Sequence, residues 1–365
     1  MSFLPLARPT IGDAELEGQA RALRSGRLVL GPENEAFEAE LCHITGAAHA
    51  VAVSSGTAAL VAALRALELP PGSEVLVPAF TFPAPAHAVV SLGLDVVPVD
   101  VAPDTWNLDA TSVARAIGPR TRGVIVVDQF GVPVDVAALG LPSEVRVVED
   151  AACALGAALG GIASGRAGAL GCLSFHPRKI VTTGEGGAVL TDDAALAAQV
   201  RAIRHHGQSA PGEFVLAGLN LRLGEAAAAV GRAQLARLPE LLEHRALLAA
   251  VYVAALAAAG LAERAPVQAA PPGARRAWQT FALLLPEKPT RAEVIDRLRA
   301  QGIEAGPATY ALHRIGSFAK RPRFDAATLP VADRLHDRSL ALPLFFGMTE
   351  SDVTRVVAEL AAVLA

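Results

Sequence analysis

Short apolar runs recur along the chain as far as Thr191, and helical stretches such as Ser112–Ile117 and Ala194–His205 separate most of them. This alternation predicts an α/β fold, in which a largely parallel sheet is covered by helices on both faces. Seven strands are predicted, at residues 49–53, Glu74–Pro78, Val96–Val101, Gly123–Asp128, Val145–Glu149, Cys172–Phe175 and Ala188–Thr191.

The two ends of the chain differ from the middle. Residues 1–48 contain two helical segments on either side of a Gly31-Pro32 turn. We expect a large domain over residues 1–245 and a smaller α+β domain over residues 246–365, with the hinge between 240 and 275. The composition changes from Pro271 onward, where the pattern predicts a strand within 278–286, a helix over Arg291–Gln301 and a closing amphipathic helix over Glu350–Leu364.

Two long uncharged runs raise the question of a membrane span. Prolines interrupt Val75–Leu94, which we interpret as a buried strand, a turn and a helix. Ala246–Ala262 continues an alanine-rich helical pattern that begins near Gly224 and is interrupted at Pro239. We interpret it as a long helix buried between the domains, and we expect no contact with a membrane.

Charge and cysteine content argue against several classes of protein. The formal net charge is -4, so we expect no basic face for nucleic acid. The three cysteines, Cys42, Cys153 and Cys172, lack metal-ligand spacing, and an odd number cannot all pair in disulfides. This favours a reducing, cytoplasmic compartment and no metal site. The first ten residues show no signal-peptide pattern.

The most informative stretch is Ser174–Gly187, in which Lys179 stands between an apolar strand and a glycine-rich turn. An aromatic residue, a histidine and a proline precede this lysine, which is unusual for a solvated surface residue. A lysine in a partly dry site can lose its proton and form a Schiff base with a carbonyl group. The alternative is an ordinary loop lysine beside a tight turn.

A second candidate site follows the first strand, where Ser54-Ser55-Gly56-Thr57 leads into a helix. The free N–H groups and the positive dipole end of a helix N-terminus bind anions, and Ser55 and Thr57 add hydroxyl donors. Simple N-capping by serine or threonine is the alternative. No G-x-G-x-x-G follows a strand, so a dinucleotide-binding fingerprint is lacking.

Two further strand ends carry groups that suit a ligand. Phe80 and Phe82 follow the second strand, and they either line a flat ligand or pack in the core. Glu149 and Asp150 end another strand, where alternation directs them to opposite faces, so that one of them can face the site. For Asp150, the N-cap of a following helix is the alternative.

Taken together and in this order, the motifs resemble the DegT/DnrJ/EryC1/StrS family of pyridoxal-phosphate-dependent sugar aminotransferases. The resemblance covers nearly the whole chain and implies fold type I, the architecture of aspartate aminotransferase. Its motifs are Gly31-Pro32 with Phe37-Glu38, Ser55–Leu60, Val77–Phe82, Glu149–Ala152, Ser174–Gly187, Gly218–Glu225 and Leu342-Pro343-Leu344.

The resemblance implies a role for each candidate residue. Lys179 matches the Schiff-base lysine, Asp150 the carboxylate that pairs with the pyridine nitrogen, and Phe82 the aromatic side chain stacked on the ring. That pairing keeps the nitrogen protonated, so the ring can accept electrons when a substrate C–H bond breaks. The phosphate cradle is matched by Gly56, Thr57, Ser174 and Ala58, of which Ala58 offers only its backbone N–H.

Asn220 matches a phosphate contact supplied by the neighbouring subunit, which implies a homodimer with shared active sites. Arg222 follows in the same motif and either meets an anionic substrate group or forms a surface salt bridge. Cys153 departs from the family, which has glutamine or histidine near the 3-oxygen of the cofactor, and a thiol is a poorer hydrogen-bond partner. His176 either orients a group near Lys179 or packs as a satisfied histidine.

The implied activity is transfer of an amino group from an amino acid, glutamate by resemblance, to a keto sugar. We expect the sugar to be nucleotide-linked, and Thr182–Gly187 resembles members that act on 4-keto rather than 3-keto sugars. The alternatives are a lyase or dehydratase with the same cofactor, an aminotransferase for a non-nucleotide cyclitol or keto sugar, and a non-enzymatic regulator. Small-molecule substrates and a second copy of the chain are the expected partners.

Overall fold

The computed structural model describes residues 3–321 and 323–365. At its centre lies a seven-stranded sheet, which confirms the α/β class and the number of strands predicted from the sequence. The observed strands begin and end within one or two residues of the predicted bounds. In chain order they are β1 (His49–Val53), β2 (Glu74–Pro78), β3 (Asp95–Val99), β4 (Thr121–Val127), β5 (Arg146–Asp150), β6 (Leu170–Ser174) and β7 (Gly187–Thr191).

The strand order across the sheet is β1-β7-β6-β5-β4-β2-β3. β7 runs antiparallel to both of its neighbours, and the other neighbouring pairs are parallel. The carboxyl ends of the six parallel strands therefore lie along one edge of the sheet, together with the start of β7. In sheets of this kind, the loops and helix N-termini at that edge form the ligand sites.

Helices cover both faces of the sheet because strand side chains alternate between two apolar layers. Val51 and Val53 of β1 belong to one layer, whereas Ala50 and Ala52 belong to the opposite one. The first layer is completed by α3 (Gly56–Ala66), α4 (Ala84–Ser91) and α6 (Ala194–Arg204), and the second by α1 (Asp13–Arg24), α2 (Pro32–Thr45), α5 (Ala110–Ala116) and α7 (Glu225–Ala236).

A smaller antiparallel sheet and its helices form the C-terminal part of the structure. Its elements are α8 (Leu238–Ala258), β8 (Phe281–Leu284), α9 (Arg291–Ala300), β9 (Gly306–Pro307), α10 (Pro330–Arg338), β10 (Ser339–Leu342) and α11 (Glu350–Leu364), with strand order β8-β10-β9. Tyr252, Phe281 and Leu360 belong to an apolar core that α8, α9 and α11 form against this sheet. The predicted smaller α+β unit is confirmed.

α8 differs from the predicted helix in its start. It begins at Leu238, after a break at Arg237, because Pro239 is tolerated only in the first turn of a helix. The helix is buried on one side: Leu248 and Tyr252 are buried, whereas Leu247 is 51% exposed. The predicted boundary between residues 245 and 246 falls inside this helix and remains a prediction.

Both long uncharged runs belong to elements of this fold. Val75–Leu94 comprises β2, the short strand Phe80–Thr81 and α4. Within the part of the chain that the structure describes, α8 is the one helix long and apolar enough to cross a membrane. Leu248 and Tyr252 on α8 lie in the C-terminal core, which is a sufficient reason for its apolar composition.

A two-residue strand pairing brings C-terminal residues to the carboxyl edge of the large sheet. Phe80–Thr81, directly after β2, pairs antiparallel with Tyr310–Ala311. The N–H of Leu312 also donates to the carbonyl oxygen of Ala79 at 2.8 Å. The ligand edge is therefore built from both halves of the chain.

One glycine allows the close packing of α2, α7 and the loop after β6. A Cβ atom at Gly231 would lie 2.6 Å from a ring carbon of Phe37 and 2.8 Å from Cγ2 of Thr183, which is closer than packed carbon atoms approach. Thr183 belongs to the loop that carries Lys179, so the packing of α7 also supports that loop.

We predict that Gly231→Ala lowers the free energy of unfolding by about 1–3 kcal/mol, because the added methyl group must displace Phe37 or Thr183. This cost should exceed the gain in helix propensity. Gly316→Ala is the control: a Cβ atom there meets nothing within 4 Å, and we expect a change below about 0.5 kcal/mol. Urea unfolding measures both, and equal midpoints would contradict the prediction.

Candidate active site

The candidate residues lie where strands end at the carboxyl edge. Ser54 follows β1, Asp150 ends β5, Ser174 ends β6, and Lys179 lies in the loop between β6 and β7. Gly187, at the start of β7, lies between the ends of β1 and β6. The topology of the sheet therefore brings together residues that are far apart in the chain.

The turn between β1 and α3 forms a cradle against the end of β6. Ser55 is the N-cap of α3, and its Oγ accepts the backbone N–H of Ala58 at 3.0 Å. A Cβ atom on Gly56 would lie 2.8 Å from Cβ of Ser174, so this approach requires glycine. Thr57 is exposed in the first turn. The N-terminus of α3 is therefore open to an anion, which its dipole and unpaired N–H groups would stabilise.

Lys179 lies in a tight turn after β6. Its N–H donates to the carbonyl oxygen of His176 at 2.8 Å, and Nδ1 of His176 accepts the N–H of Arg178 at 3.2 Å. His176 thus stabilises the turn, which agrees with the alternative of a satisfied histidine. The side chain of Lys179 is half-buried, and its Nζ donates to Sγ of Cys153 at 3.0 Å.

Asp150 is buried at the end of β5. Its Oδ1 accepts the N–H of Ala152 at 3.0 Å, and no donor from the residues that the structure describes reaches Oδ2. Burial raises the pKa of Asp150, and the Ala152 N–H and the charge of Lys179 offset part of this rise. A cation placed at Oδ2 would stabilise the ionised carboxylate further.

Phe82 lies beside Tyr310 at the opening of the site. Its side chain is 62% exposed, and the two ring centroids are 6.4 Å apart. Phe80, by contrast, is buried and packs edge to face against Trp106 and Phe130. Of the two roles considered for this aromatic pair, Phe80 takes core packing, and Phe82 is free to cover a planar ligand.

Asn220 and Arg222 lie beside the end of β1 at the same edge, where Arg222 forms an isolated antiparallel bridge with Val53. The carbonyl oxygen of Leu221, between them, accepts the N–H of Ser54 at 2.8 Å. Arg222 donates from Nε to Oδ1 of Asn220 at 2.9 Å and from Nη1 to Nδ1 of His205 at 3.2 Å. Burial and the charge of Arg222 lower the pKa of His205, which keeps the ring able to accept this bond.

A buried pair of carboxyl groups behind the site is not evident from the sequence. Asp128 follows β4, is fully buried and interacts with Glu149 of β5. Its Oδ1 accepts the N–H of Val134 at 2.9 Å, and Oε2 of Glu149 accepts the N–H of Ala167 at 2.7 Å. Burial and the charge of Glu149 raise the pKa of Asp128 well above its usual range. The one sign of this pair in the sequence is that the predicted strand Gly123–Asp128 ends in an acidic residue.

Other features of the structure lie away from this edge. No group of three or more His, Cys, Asp or Glu side chains within residues 3–321 and 323–365 could hold a metal ion. A cavity of about 370 Å³ lies at the amino ends of β5 and β6, with Arg146, Arg166 and Asp192 in its lining. None of the candidate residues line that cavity.

A lysine amine near a buried aspartate, with an open helix N-terminus for an anion, has the chemical groups that pyridoxal phosphate requires of its site on a fold type I sheet. Comparison with family models agrees with this class, since residues 9–361 match the DegT/DnrJ/EryC1/StrS aminotransferase family. The chain belongs to this family of pyridoxal-phosphate-dependent sugar aminotransferases.

Several solved structures resemble the chain over nearly its whole length. DesV of S. venezuelae, in complex with a ketimine intermediate, is 34% identical, with a TM-score of 0.91 over 99% of this chain and 98% of that chain. DesI, in the presence of its TDP-sugar product, is 33% identical, with a TM-score of 0.90 over 99% and 92%. A 3-amino-5-hydroxybenzoic acid synthase is 32% identical, with a TM-score of 0.91 over 99% and 98%.

The Asp128–Glu149 pair predicts a pH dependence of stability. An acid whose pKa is raised by folding binds its proton more tightly in the folded state, so the free energy of unfolding falls as pH rises above about 3.9, the ordinary pKa of aspartate. The fall is complete once the pH exceeds the raised pKa. Asp128→Asn keeps an oxygen for the Val134 N–H and should remove this slope of up to about 1.4 kcal/mol per pH unit.

Urea unfolding at a series of pH values between about 5 and about 8 measures this difference. We expect the wild type to lose stability relative to Asp128→Asn as the pH rises. Two stability curves that run parallel over the whole series would show that Asp128 does not retain its proton in the folded state.

Proposed function

We propose that Lys179 is the catalytic residue and that Asp150 holds the ring nitrogen of pyridoxal 5′-phosphate. The observation that carries this proposal is geometric: Asp150 is buried at the end of β5, and the loop that carries Lys179 follows the neighbouring strand β6. The positive charge of Lys179 also offsets part of the rise that burial causes in the pKa of Asp150. Burial makes the charge on Asp150 unfavourable, and Oδ2 has no donor among the described residues. A protonated ring nitrogen satisfies both requirements, so these residues fit the cofactor.

The cradle residues fit the phosphate group. Gly56 and Thr57 offer the first N–H groups of α3, while Thr57 and Ser174 also offer hydroxyl groups. Ala58 differs from its expected role, because its N–H already donates to Oγ of Ser55 and could serve a phosphate only by sharing that hydrogen. Phe82, exposed at the opening, would cover one face of the ring.

When bound, pyridoxal phosphate supplies an electron sink for breaking a C–H bond of the substrate. The residues of the chain hold and move protons around that group. Lys179 acts at Nζ as general base and then as general acid once its amine is free. Asp150 keeps positive charge on the ring nitrogen. Sγ of Cys153, at 3.0 Å, accepts a hydrogen bond from Nζ and so directs the free amine.

We infer that glutamate is the amino donor and that a nucleotide-linked keto sugar is the acceptor. Among such sugars we favour 4-keto over 3-keto sugars. DesI, which was solved with its TDP-sugar product and is 33% identical, supports a nucleotide-linked sugar. Arg222 is bonded to an amide and an imidazole, with no acidic partner among the described residues. Its guanidinium is therefore a candidate for binding an anionic group of the substrate.

A second candidate is amination of a cyclic ketone that carries no nucleotide. The similarity to 3-amino-5-hydroxybenzoic acid synthase, at 32% identity over 99% of this chain, supports it almost as well as DesI supports the first candidate. Sequence identity does not separate the two acceptors, so the choice between them requires a direct measurement.

A homodimer in which Asn220 binds the phosphate of the partner's cofactor is also part of the proposal. Asn220 is exposed, and Phe214 and Val215 in the preceding segment are 65% and 64% exposed. Neighbouring apolar side chains with this exposure favour contact with another protein surface. Their position close to Asn220 supports an interface at the site.

The domain boundary at residues 245/246 and the cytoplasmic compartment are proposals of the same kind. Leu241 packs in the core under the large sheet, whereas Leu248 and Tyr252 of the same helix pack in the C-terminal core. The change of core along α8 supports a boundary between them. Cys42, Cys153 and Cys172 are free thiols, which supports a reducing compartment.

Protein loaded with pyridoxamine phosphate tests the acceptor. The loaded protein is mixed with 4-keto and 3-keto nucleotide sugars and with cyclic ketones that lack a nucleotide, and the visible absorbance of the aldehyde form is followed. We expect the band to return with nucleotide-linked sugars, fastest with 4-keto sugars. Lys179→Ala should not bind pyridoxal phosphate covalently, and borohydride should trap no adduct of the cofactor with this variant.

Two results would contradict parts of this proposal. A wild-type protein that stays colourless after addition of pyridoxal phosphate would remove the assignment of Lys179. A response to nucleotide-free ketones alone would replace the first acceptor by the second candidate.

Mixed dimers test the placement of Asn220. Lys179→Ala should abolish activity, and Asn220→Ala should reduce it about 10-fold or more, because the phosphate loses a contact that orients the ring. After exchange of subunits, half of the dimers are mixed and each carries one complete site, so about a quarter of wild-type activity should return. Different tags on the two variants establish that mixed dimers are present. If these mixed dimers are inactive, Asn220 belongs to the site of its own chain.

A further inference from the structure

Gln279 binds the backbone on both sides of Lys179. Its Oε1 accepts the N–H of Ile180 at 3.0 Å, and its Nε2 donates to the carbonyl oxygen of Arg178 at 2.6 Å. One side-chain amide therefore satisfies a donor and an acceptor of the loop, as a neighbouring strand would. We call these two hydrogen bonds the Gln279 clamp.

The segment that carries Gln279 is itself firmly held. Gln279 is only 9% exposed, and Arg245 of α8 donates through Nη1 to the carbonyl oxygens of Trp278 at 3.1 Å and Gln279 at 3.2 Å. The φ of Trp278 is 52°, a strained value for a residue other than glycine. The guanidinium of Arg276 lies 3.7 Å from the centroid of the Trp278 ring. Strain that is held in place by several contacts is a feature of functional sites.

The burial of Arg245 points in the same direction. Arg245 lies in the interior without an acidic partner among the described residues, and burial lowers its pKa to about 10. A guanidinium in such a place is costly unless its hydrogen bonds are satisfied. Arg245 donates to the backbone carbonyl oxygens of residues 278 and 279, so its contribution is to fix this segment.

We infer that Gln279 is a positioning residue for Lys179. By holding the peptide groups on both sides, the clamp fixes the direction of the Cα–Cβ bond of Lys179 and thereby the place from which Nζ moves a proton. The inference deepens the proposed function and rests on it. Because Gln279 precedes β8, the C-terminal part of the chain takes a direct part in aligning the catalytic amine.

Lys179 needs such alignment because its side chain is a flexible four-carbon stem. The 3.0 Å contact with Cys153 restrains only the end of that stem. A displacement of a catalytic group by about 1 Å can lower a rate about 100-fold. Loss of the clamp should therefore affect the chemical step more than substrate binding.

Gln279→Met tests the inference, because it keeps the length of the side chain and leaves the Ile180 N–H and the Arg178 carbonyl without their partner. Asn107→Leu is the matched control. Asn107 is also a buried amide that binds backbone with both of its polar atoms, at 3.1 Å and 2.9 Å in the Gln129–Val132 turn. Each variant loses a side-chain amide that forms two hydrogen bonds with the backbone, but only Gln279 contacts the loop that carries Lys179.

Hydrogen exchange and steady-state kinetics of the pyridoxal-phosphate-loaded enzyme are the readouts. In Gln279→Met we expect the Ile180 amide to exchange about 10-fold faster, because its N–H has lost its acceptor. We expect kcat to fall about 10- to 100-fold, while KM for the amino donor changes less than about 3-fold. Asn107→Leu should lose a comparable amount of thermal stability but keep the Ile180 exchange rate, kcat and KM close to their wild-type values.

An Ile180 amide that keeps its wild-type exchange rate in Gln279→Met would overturn the clamp. A fall in kcat that Asn107→Leu reproduces at equal loss of stability would also overturn the inference, since the role would then be structural only. Gln279→Glu is the second variant, for the case that Gln279→Met does not fold. It keeps an acceptor for Ile180 but loses the donor to Arg178, so we expect an intermediate kcat, and a wild-type kcat would count against the inference.

Hydrogen exchange of the Ile180 amide, measured on the cofactor-free protein, separates this inference from the proposed function. If the wild type captures no pyridoxal phosphate, the proposed function and the positioning role both fail, even where the Ile180 amide shows that the clamp exists. If the wild type captures the cofactor but its Ile180 amide is no better protected than in Gln279→Met, the inference alone fails.

Discussion

The interaction between the buried carboxylate of Asp150 and the amine of Lys179 is the constraint around which the site is built. A charged carboxylate in the interior is unfavourable, and Lys179 together with the N–H of Ala152 reduces that cost. The parallel pairing of β5 with β6 brings Asp150 and the loop that carries Lys179 to the same edge. An electron-accepting ring that carries a positive charge fits between an acid and an amine held in this way.

Two glycines allow the N-terminus of α3 to approach the start of β7 and the end of β6 closely. A Cβ atom on Gly187 would lie 2.4 Å from the carbonyl oxygen of Ser55, and one on Gly56 would lie 2.8 Å from Cβ of Ser174. Side chains at these two glycines would separate the N-terminus of α3 from β6. The anion cradle therefore depends on backbone that approaches backbone directly, which only glycine allows.

The C-terminal part of the chain completes the edge that the large sheet begins. Tyr310 lies beside Phe82, and the Gln279 clamp holds the turn that carries Lys179. The aminotransferase family defines the reaction class, and in the proposed function Arg222 is the candidate for contact with the acceptor. A fold shared with DesV, DesI and 3-amino-5-hydroxybenzoic acid synthase thus leaves the acceptor to local chemistry.

The sequence alone determined the seven strands to within two residues and marked Lys179 and Asp150, because short apolar runs and strand-end residues are local patterns. It also marked the cradle, but not that the N–H of Ala58 is taken by Ser55. Only the tertiary structure decided that Asp128 meets Glu149 and that Gln279 holds the lysine loop from 99 and 101 positions away. The physical reason is that such contacts depend on how distant segments pack, and periodicity within one segment does not specify its distant partners.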